Sequence, residues 1–182
     1  PTVDENTGTT TTSVRATLSS LSSQTVTIVL SLGGTATVGV GKDYTLDTVI
    51  TIPTGSPSGS IILSTIGDLI YETNETIIID ISTVQNGTES GGDNGQKRTV
   101  TLVDDDPIPG VTLQTTATQI NEELPGESTA VTATLTAVSG LSTTVFLSKV
   151  GSSAIEQADY TLSSTITVPA GSISASVLLT SL

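Results

Sequence analysis

The sequence predicts an all-β protein built as antiparallel β-sandwiches, and three observations lead to that prediction. Apolar residues alternate with Thr and Ser over short stretches, as from Thr25 to Leu32, which is the period of a half-buried strand. The chain has three Tyr, one Phe and no Trp or Met, so its core must be built mainly from Val, Ile, Leu and Ala. Turn signals such as Gly33-Gly34 and Asn86-Gly87 separate these stretches. Helices are therefore not expected.

Several stretches within the first hundred or so residues have the composition of strands. Each is rich in β-branched residues and is bounded by turn-forming residues. The predicted strands are Thr25 to Leu32, Val49 to Ile52, Ser60 to Leu63, Thr76 to Ser82 and Arg98 to Val103. A Gly- and Asn-rich loop joins the last two, so we expect an antiparallel hairpin. In such a hairpin the start of the first strand lies beside the end of the second.

An internal repeat predicts the domain organisation. The motif Asp43-Tyr44-Thr45-Leu46 recurs at Asp159 to Leu162, and the pattern of Val14 to Leu18 recurs at Val131 to Leu135. We therefore expect two tandem domains, residues 1–106 and 111–182, joined by the short Pro-containing linker 107–110. The second copy has no counterpart of residues 67–106, so we expect it to be incomplete at its C-terminus. Two explanations stay open: excision from a longer chain, or completion by a strand of a neighbouring molecule.

Composition and charge argue against several classes of function. The chain has 18 acidic and 5 basic residues, a formal charge of −13, which disfavours nucleic acids and anionic membranes as partners. No apolar run is long enough to span a bilayer, so membrane insertion is not expected. There is no His and no Cys, hence no Ser-His-Asp set and no thiol nucleophile, and we expect no enzyme. Because the chain begins at Pro1 without a signal-like segment, we expect it to belong to a longer protein.

Acidic residues stand where the predicted strands begin or end. When carboxylates gather at one tip of a sandwich, their mutual repulsion raises their pKa values or pushes the loops apart, unless a cation binds between them. Calcium suits such a place, because it takes roughly six to eight oxygen ligands and tolerates irregular geometry. The predicted hairpin already brings acids from its two strand ends together. The candidate calcium ligands are Glu5, Asp43, Asp68, Glu72, Glu75, Asp104, Asp105 and Asp106.

The order of these residues resembles the Calx-beta family. Its pattern of Glu, then Asp-Tyr, then Asp-x-x-x-Glu-x-x-Glu-Thr, then Asp-Asp-Asp is matched across residues 1–106. The resemblance implies a calcium-binding, immunoglobulin-like antiparallel β-sandwich, as found in sodium/calcium exchangers and in long bacterial surface proteins. One position departs from the family pattern, since Gly67 precedes Asp68 where the family usually has a further Asp. Fewer or more weakly bound ions are therefore expected.

The resemblance also implies roles for individual residues. Asp104 to Asp106 would bridge adjacent ions, and Asp43, Asp68 and Glu72 would coordinate further. Glu5 and Glu75 would complete the outer ions, and the backbone carbonyl of Ile70 would add an oxygen. The second copy keeps two counterparts of this set, Glu122 and Asp159. Two structural alternatives stay open: Asp43 caps a loop beside a packed Tyr44, and the Asp run is a solvated linker.

The expected function is that of a calcium-binding structural or adhesive repeat that stiffens an extracellular, multidomain, adhesin-type protein, expected to be bacterial. Its partners would be calcium ions, neighbouring repeats and, through other domains, a cell-surface or matrix ligand. Two other functions stay open. One is a calcium sensor that regulates an attached transporter or receptor. The other is a metal-free immunoglobulin-like spacer or ligand-binding adhesin domain.

Overall fold

A computed structural model describes residues 1–5, 8–92, 95–124, 126–149 and 151–182. Every regular element in this part of the chain is a β-strand, which confirms the predicted all-β class. The chain divides into two compact units. Unit 1 comprises Pro1–Asp68 and Thr73–Asp105, and unit 2 comprises Leu69–Glu72 and Asp106–Leu182. In the described ranges there is no helix of the length and apolarity needed to cross a membrane.

Unit 1 is a two-sheet β-sandwich. Its strands are β1 (Thr2–Asp4), β2 (Gly8–Thr17), β3 (Val26–Gly34), β4 (Tyr44–Leu46), β5 (Val49–Ile52), β6 (Ser58–Gly67), β7 (Glu75–Gln85) and β8 (Arg98–Val103). One sheet has the order β1-β8-β7-β3-β5 and the other the order β2-β6-β4. The paired strands are antiparallel, as predicted, apart from the parallel pair of β1 and β8.

The core of unit 1 lies between its two sheets. Inward residues recur at every second position, because successive side chains of a strand point to opposite faces. Ile77 and Leu63, from the two sheets, are both fully buried. The buried Thr65 hydroxyl lies 3.3 Å from the carbonyl oxygens of Asp4 and of Thr10, and it can donate to either. Since Asp4 is in β1 and Thr65 in β6, this contact joins the two sheets at one end of the sandwich.

The predicted hairpin of unit 1 is present. Strands β7 and β8 pair antiparallel, with Glu75 opposite Leu102 and Ile79 opposite Arg98. The start of β7 therefore lies beside the end of β8. This arrangement positions the acidic residues discussed below.

Unit 2 also has two sheets. Its strands are β9 (Val111–Thr115), β10 (Ser128–Leu135), β11 (Thr143–Phe146), β12 (Tyr160–Leu162), β13 (Thr165–Val168) and β14 (Ser174–Ser181). The sheets have the orders β12-β14-β10-β9 and β11-β13. Its core includes Ala133, Ile166 and Val168. Within the same unit, the carbonyl of Tyr71 accepts the Gly140 N–H at 2.9 Å, and Tyr71 forms a β-bridge with Ser139.

Candidate metal centre

The connections that carry most of the predicted ligands meet at one end of unit 1. Strands β1, β6 and β8 end there, while β2, β4 and β7 begin there. The registers establish this arrangement, with Gly8 opposite Gly67, Tyr44 opposite Thr65 and Glu75 opposite Leu102. We call this region of unit 1 the acidic end; the predicted ligands that it holds are Glu5, Asp43, Asp68, Glu75, Asp104 and Asp105.

The parallel pair of β1 and β8 places Glu5 beside Asp104. Asp4 is opposite Val103, and the Glu5 N–H donates to the Val103 carbonyl at 2.9 Å. Leu102 is buried in the core, so alternation puts Asp104 on the same inner face, one step beyond the strand. Both Glu5 and Asp104 are half-buried. Two carboxylates thus share one rim of the sandwich.

Glu75 belongs to the same rim. It opens β7 directly opposite Leu102 and is in the same inward row as the buried Ile77. Next to it, the Asn74 side-chain oxygen accepts the Asp104 N–H at 3.2 Å. Asn74 was not predicted as a site residue, because its contact depends on the hairpin register. Its position just before a predicted hairpin strand is the sequence signal that could have identified it.

Asp43 and Asp68 come to the acidic end from the three-stranded sheet. The Asp43 Oδ2 accepts the Thr37 N–H at 2.5 Å, which closes the connection between β3 and β4. Tyr44 beside it is 1% exposed, so Asp43 has the loop-capping environment considered as an alternative. A carboxylate has a second oxygen and several lone pairs, so this hydrogen bond is compatible with further coordination. Asp68 follows β6 and is exposed.

Other predicted ligands belong to unit 2. They are Ile70, Glu72, Asp106, Glu122 and Asp159. Glu72 packs against Gly140, where an added Cβ would lie 2.8 Å from the Glu72 Cγ. The Asp159 Oδ2 accepts the Ile155 N–H at 2.7 Å just before β12. Asp159 therefore has the same loop-closing hydrogen bond in unit 2 that Asp43 has in unit 1. Glu122 is exposed in the connection between β9 and β10.

The donor chemistry of the acidic end fits calcium, although its side chains do not form a closed cage. Its acids offer oxygen ligands, which a hard cation prefers. Over the described residues, no three Asp, Glu, His or Cys side chains are grouped closely enough to hold one ion. An ion at this end would therefore have to draw neighbouring carboxylates together.

Ionisation of the buried Tyr44 makes the stability of unit 1 depend on pH. Burial raises the pKa of the Tyr44 phenol, and the negative charge of Asp43 raises that pKa further. An unfolded Tyr ionises at about pH 10, so above that pH the folded state retains a proton that the unfolded state has lost. We expect the free energy of unfolding to fall as the pH rises above about 10, and Tyr44→Phe to reduce that fall. Urea unfolding in chelator, at several pH values between about 8 and 11, measures this free energy for the parent and for Tyr44→Phe. An equal fall with pH in the two proteins would contradict the prediction.

Comparisons with known proteins give fold similarities only. No family model and no curated protein matches the chain. Among solved structures, CBD12 from CALX1.2 is 18% identical with a TM-score of 0.48, covering 100% of this chain and 71% of that one. The calcium binding domain CBD12 of CALX1.1 is 17% identical with a TM-score of 0.48, covering 100% and 72%. The apo-form Calx CBD1 domain is 21% identical with a TM-score of 0.47, covering 58% and 89%. The chain is similar to these Calx domains, and this similarity does not establish its family.

Proposed function

We propose that unit 1 is a calcium-binding structural module. The observation that supports this most is the meeting of acids from separate strands at one rim: Glu5 beside Asp104, and Glu75 on the adjoining strand. All three are half-buried, so their mutual repulsion is less screened than on an open surface. A divalent cation with oxygen ligands relieves that repulsion.

Asp104 and Asp105 are the central ligands of the proposed site. They follow β8 directly and are the last residues of unit 1. An ion held by these residues together with Glu5 and Glu75 would fix the end of β8 to its neighbours β1 and β7. Calcium would thereby order the chain where it leaves unit 1. The proposed mechanical effect is that the segment of chain that follows β8 becomes stiffer.

Further ligands are proposed with different support. Asp43 and Asp68 reach the acidic end from β4 and β6, so they can add oxygens within unit 1. The Ile70 carbonyl, Glu72 and Asp106, and in the second copy Glu122 and Asp159, are proposed from the sequence pattern alone. With Gly67 in the place of an acid, the number of ions is expected to be small.

The wider role that we propose is extracellular and non-catalytic. A chain without Cys gains no rigidity from disulfides, and bound metal can supply it instead. Extracellular calcium modules bind with dissociation constants of ~10⁻⁴–10⁻³ M, which suits a place where calcium is abundant. We propose that the module serves a repeat-containing surface protein of the adhesin type, with calcium ions and neighbouring repeats as its partners.

Calcium titration followed by NMR tests this proposal on the full chain. We expect saturable shifts of the Glu5, Glu75 and Asp104 amides, with a dissociation constant of ~10⁻⁴–10⁻³ M. Magnesium at equal ionic strength is expected to give smaller shifts, because it demands near-ideal octahedral geometry and keeps its waters. Identical small responses to calcium, magnesium and sodium would contradict the site. A dissociation constant in the micromolar range with a local change of structure would instead favour a sensor.

A metal-free β-sandwich module is the second candidate. It is favoured by the absence of a grouped set of three ligands over the described ranges, and by the loop-closing hydrogen bond of Asp43. In that case the acidic end is a solvated surface whose charge maintains solubility. The same titration distinguishes the candidates, because a metal-free module gives no saturable calcium response.

A further inference from the structure

Asn86 and Gly87 lie at the bend that directly follows β7. Strand β7 ends at Gln85, which is opposite Thr27 of β3. Asn86 has a φ of 60°, a left-handed conformation that Asn adopts more readily than most residues with a Cβ. Asn86 and Gly87 are both exposed. Solvent therefore reaches an Asn side chain that is followed by the one residue without a side chain of its own.

The Asn86 side chain links the ends of two strands. Its Nδ2 donates to the carbonyl oxygen of Thr25 at 2.8 Å, and Thr25 immediately precedes β3. This hydrogen bond continues the pairing of β3 with β7 beyond Gln85, with a side chain in place of the backbone. The nitrogen that forms the link is also the nitrogen that an Asn loses when it deamidates. One reaction at Asn86 would thus remove the link.

Two other exposed Asn residues have a different environment. Asn74 and Asn121 are each followed by a Glu, whose side chain hinders access to its own backbone nitrogen. Their side-chain oxygens also accept backbone N–H groups, from Asp104 at 3.2 Å and from Glu123 at 2.9 Å. Because Gly87 has no Cβ, its nitrogen is free of that hindrance. These two residues are therefore internal references for the reactivity of Asn86.

We propose that Asn86 is a site of spontaneous deamidation and isomerisation. A solvent base takes the proton of the Gly87 N–H, and the nitrogen attacks the Asn86 Cγ. The Cγ–Nδ2 bond breaks, and ammonia leaves with a proton from solvent. Water then opens the resulting succinimide ring at one of its two C–N bonds. One opening gives aspartate, and the other gives isoaspartate, in which the main chain runs through the former side chain. Overall, one water is consumed and one ammonia is released.

Either product weakens the end of the β3–β7 pair. A carboxylate has no hydrogen to donate, so it loses the bond to the Thr25 carbonyl and repels that oxygen. Isoaspartate also lengthens the main chain by one carbon next to Gly87. Gly87 lies close to the core, since an added Cβ would be 3.2 Å from Val84 Cγ1 and 3.5 Å from Cγ1 of the buried Val26. The longer main chain would disturb this packing.

Ageing of the full chain in mildly alkaline buffer with chelator tests the proposed site. The products are located by proteolytic digestion and fragment masses, and isoaspartate is identified by enzymatic methylation. We expect Asn86 to be converted at least tenfold faster than Asn74 and Asn121. Asn94 also precedes a Gly and lies outside the described residues, so the fragment masses must distinguish it from Asn86. Equal rates at Asn86, Asn74 and Asn121, or conversion at Asn94 alone, would overturn the proposal.

Gly87→Ala tests the route of the reaction. The variant keeps Asn86, and its added methyl group meets the end of the Val84 side chain, which can move. We expect Asn86 to be converted at least tenfold more slowly in this variant, because the attacking nitrogen is now hindered. An unchanged rate would show that the Gly87 nitrogen is not the attacking group.

Amide hydrogen exchange measured by NMR tests the structural consequence. In the aged protein and in Asn86→Asp, amides around Thr27 and Gln85 are expected to exchange at least fivefold faster than in the fresh parent. Gln24→Glu is the matched control, because it adds the same charge next to Thr25 and leaves the Asn86 amide in place. It should retain the exchange rates of the parent. Equal acceleration in Asn86→Asp and Gln24→Glu would show that charge alone, and not the lost link, loosens this end of the sheet.

Discussion

Changing Asp104 and Asp105 together to Asn is expected to abolish the calcium-dependent stability of unit 1. In chelator the variant should unfold at the same temperature as the parent or slightly higher, because two repelling charges are removed from the rim. In calcium the order should reverse, because the parent gains binding free energy and the variant does not. At ten- to a hundredfold excess of free calcium over the dissociation constant, that gain is about 1.4–2.7 kcal/mol. For a domain of this size it corresponds to a rise in Tm of about 10 °C.

Thermal unfolding of the full chain by circular dichroism, at matched ionic strength, provides this measurement. The control variant carries Asp47→Asn and Asp80→Asn, which remove the same charge from unit 1 outside the acidic end. Asp47 lies in the connection between β4 and β5, and the Asp80 Oδ1 accepts the N–H of the adjacent Ile81 at 2.9 Å. The control should keep the full calcium response. If the Asp104 and Asp105 variant also keeps it, these residues are not ligands.

Local pattern predicted the strands with strong alternation and clear turn signals. The bounds of β5 and β8 are those expected from the sequence, and the pairing of β7 with β8 follows the prediction. Strand β2 was not among the predicted strands, because Thr9 to Thr12 has no apolar alternation. Its extended form depends on its pairing with β6, which is distant in sequence. The Thr residues favour an extended backbone, but without apolar alternation the local pattern does not distinguish an exposed strand from a loop.

The same distinction applies to the candidate site. The predicted hairpin was sufficient to bring Glu75 close to Asp104, since both lie at the open end of the hairpin, away from the loop that joins its two strands. The position of Glu5 beside Asp104 could not be predicted from the sequence pattern. It depends on the parallel pairing of β1 with β8, which are the first and last strands of unit 1 along the chain. The contact of Asn74 with Asp104 needed the exact register. Residue type thus predicted the chemistry, while non-local pairing determined which acids are neighbours.

Gly34→Ala is expected to destabilise unit 1 by at least about 3 kcal/mol, because both the backbone and the space at this position require Gly. Gly34 ends β3 with φ +110°, a conformation that residues with a Cβ rarely adopt. An added Cβ would overlap the Thr76 carbonyl oxygen and lie 2.7 Å from its carbon. That oxygen already accepts the N–H groups of Thr35 at 2.9 Å and Ala36 at 3.1 Å, so moving it would break both hydrogen bonds.

Gly33→Ala is the matched control, since a Cβ on Gly33 meets nothing within 4 Å and its φ is not in the positive range. Its free energy of unfolding in urea should stay within about 0.5 kcal/mol of the parent. Equal losses for the two variants would contradict the close approach at Gly34. Because Thr76 directly follows Glu75, displacement of its carbonyl would also displace a proposed calcium ligand. We therefore expect Gly34→Ala to weaken calcium binding even where the variant is still folded, and Gly33→Ala to leave binding unchanged.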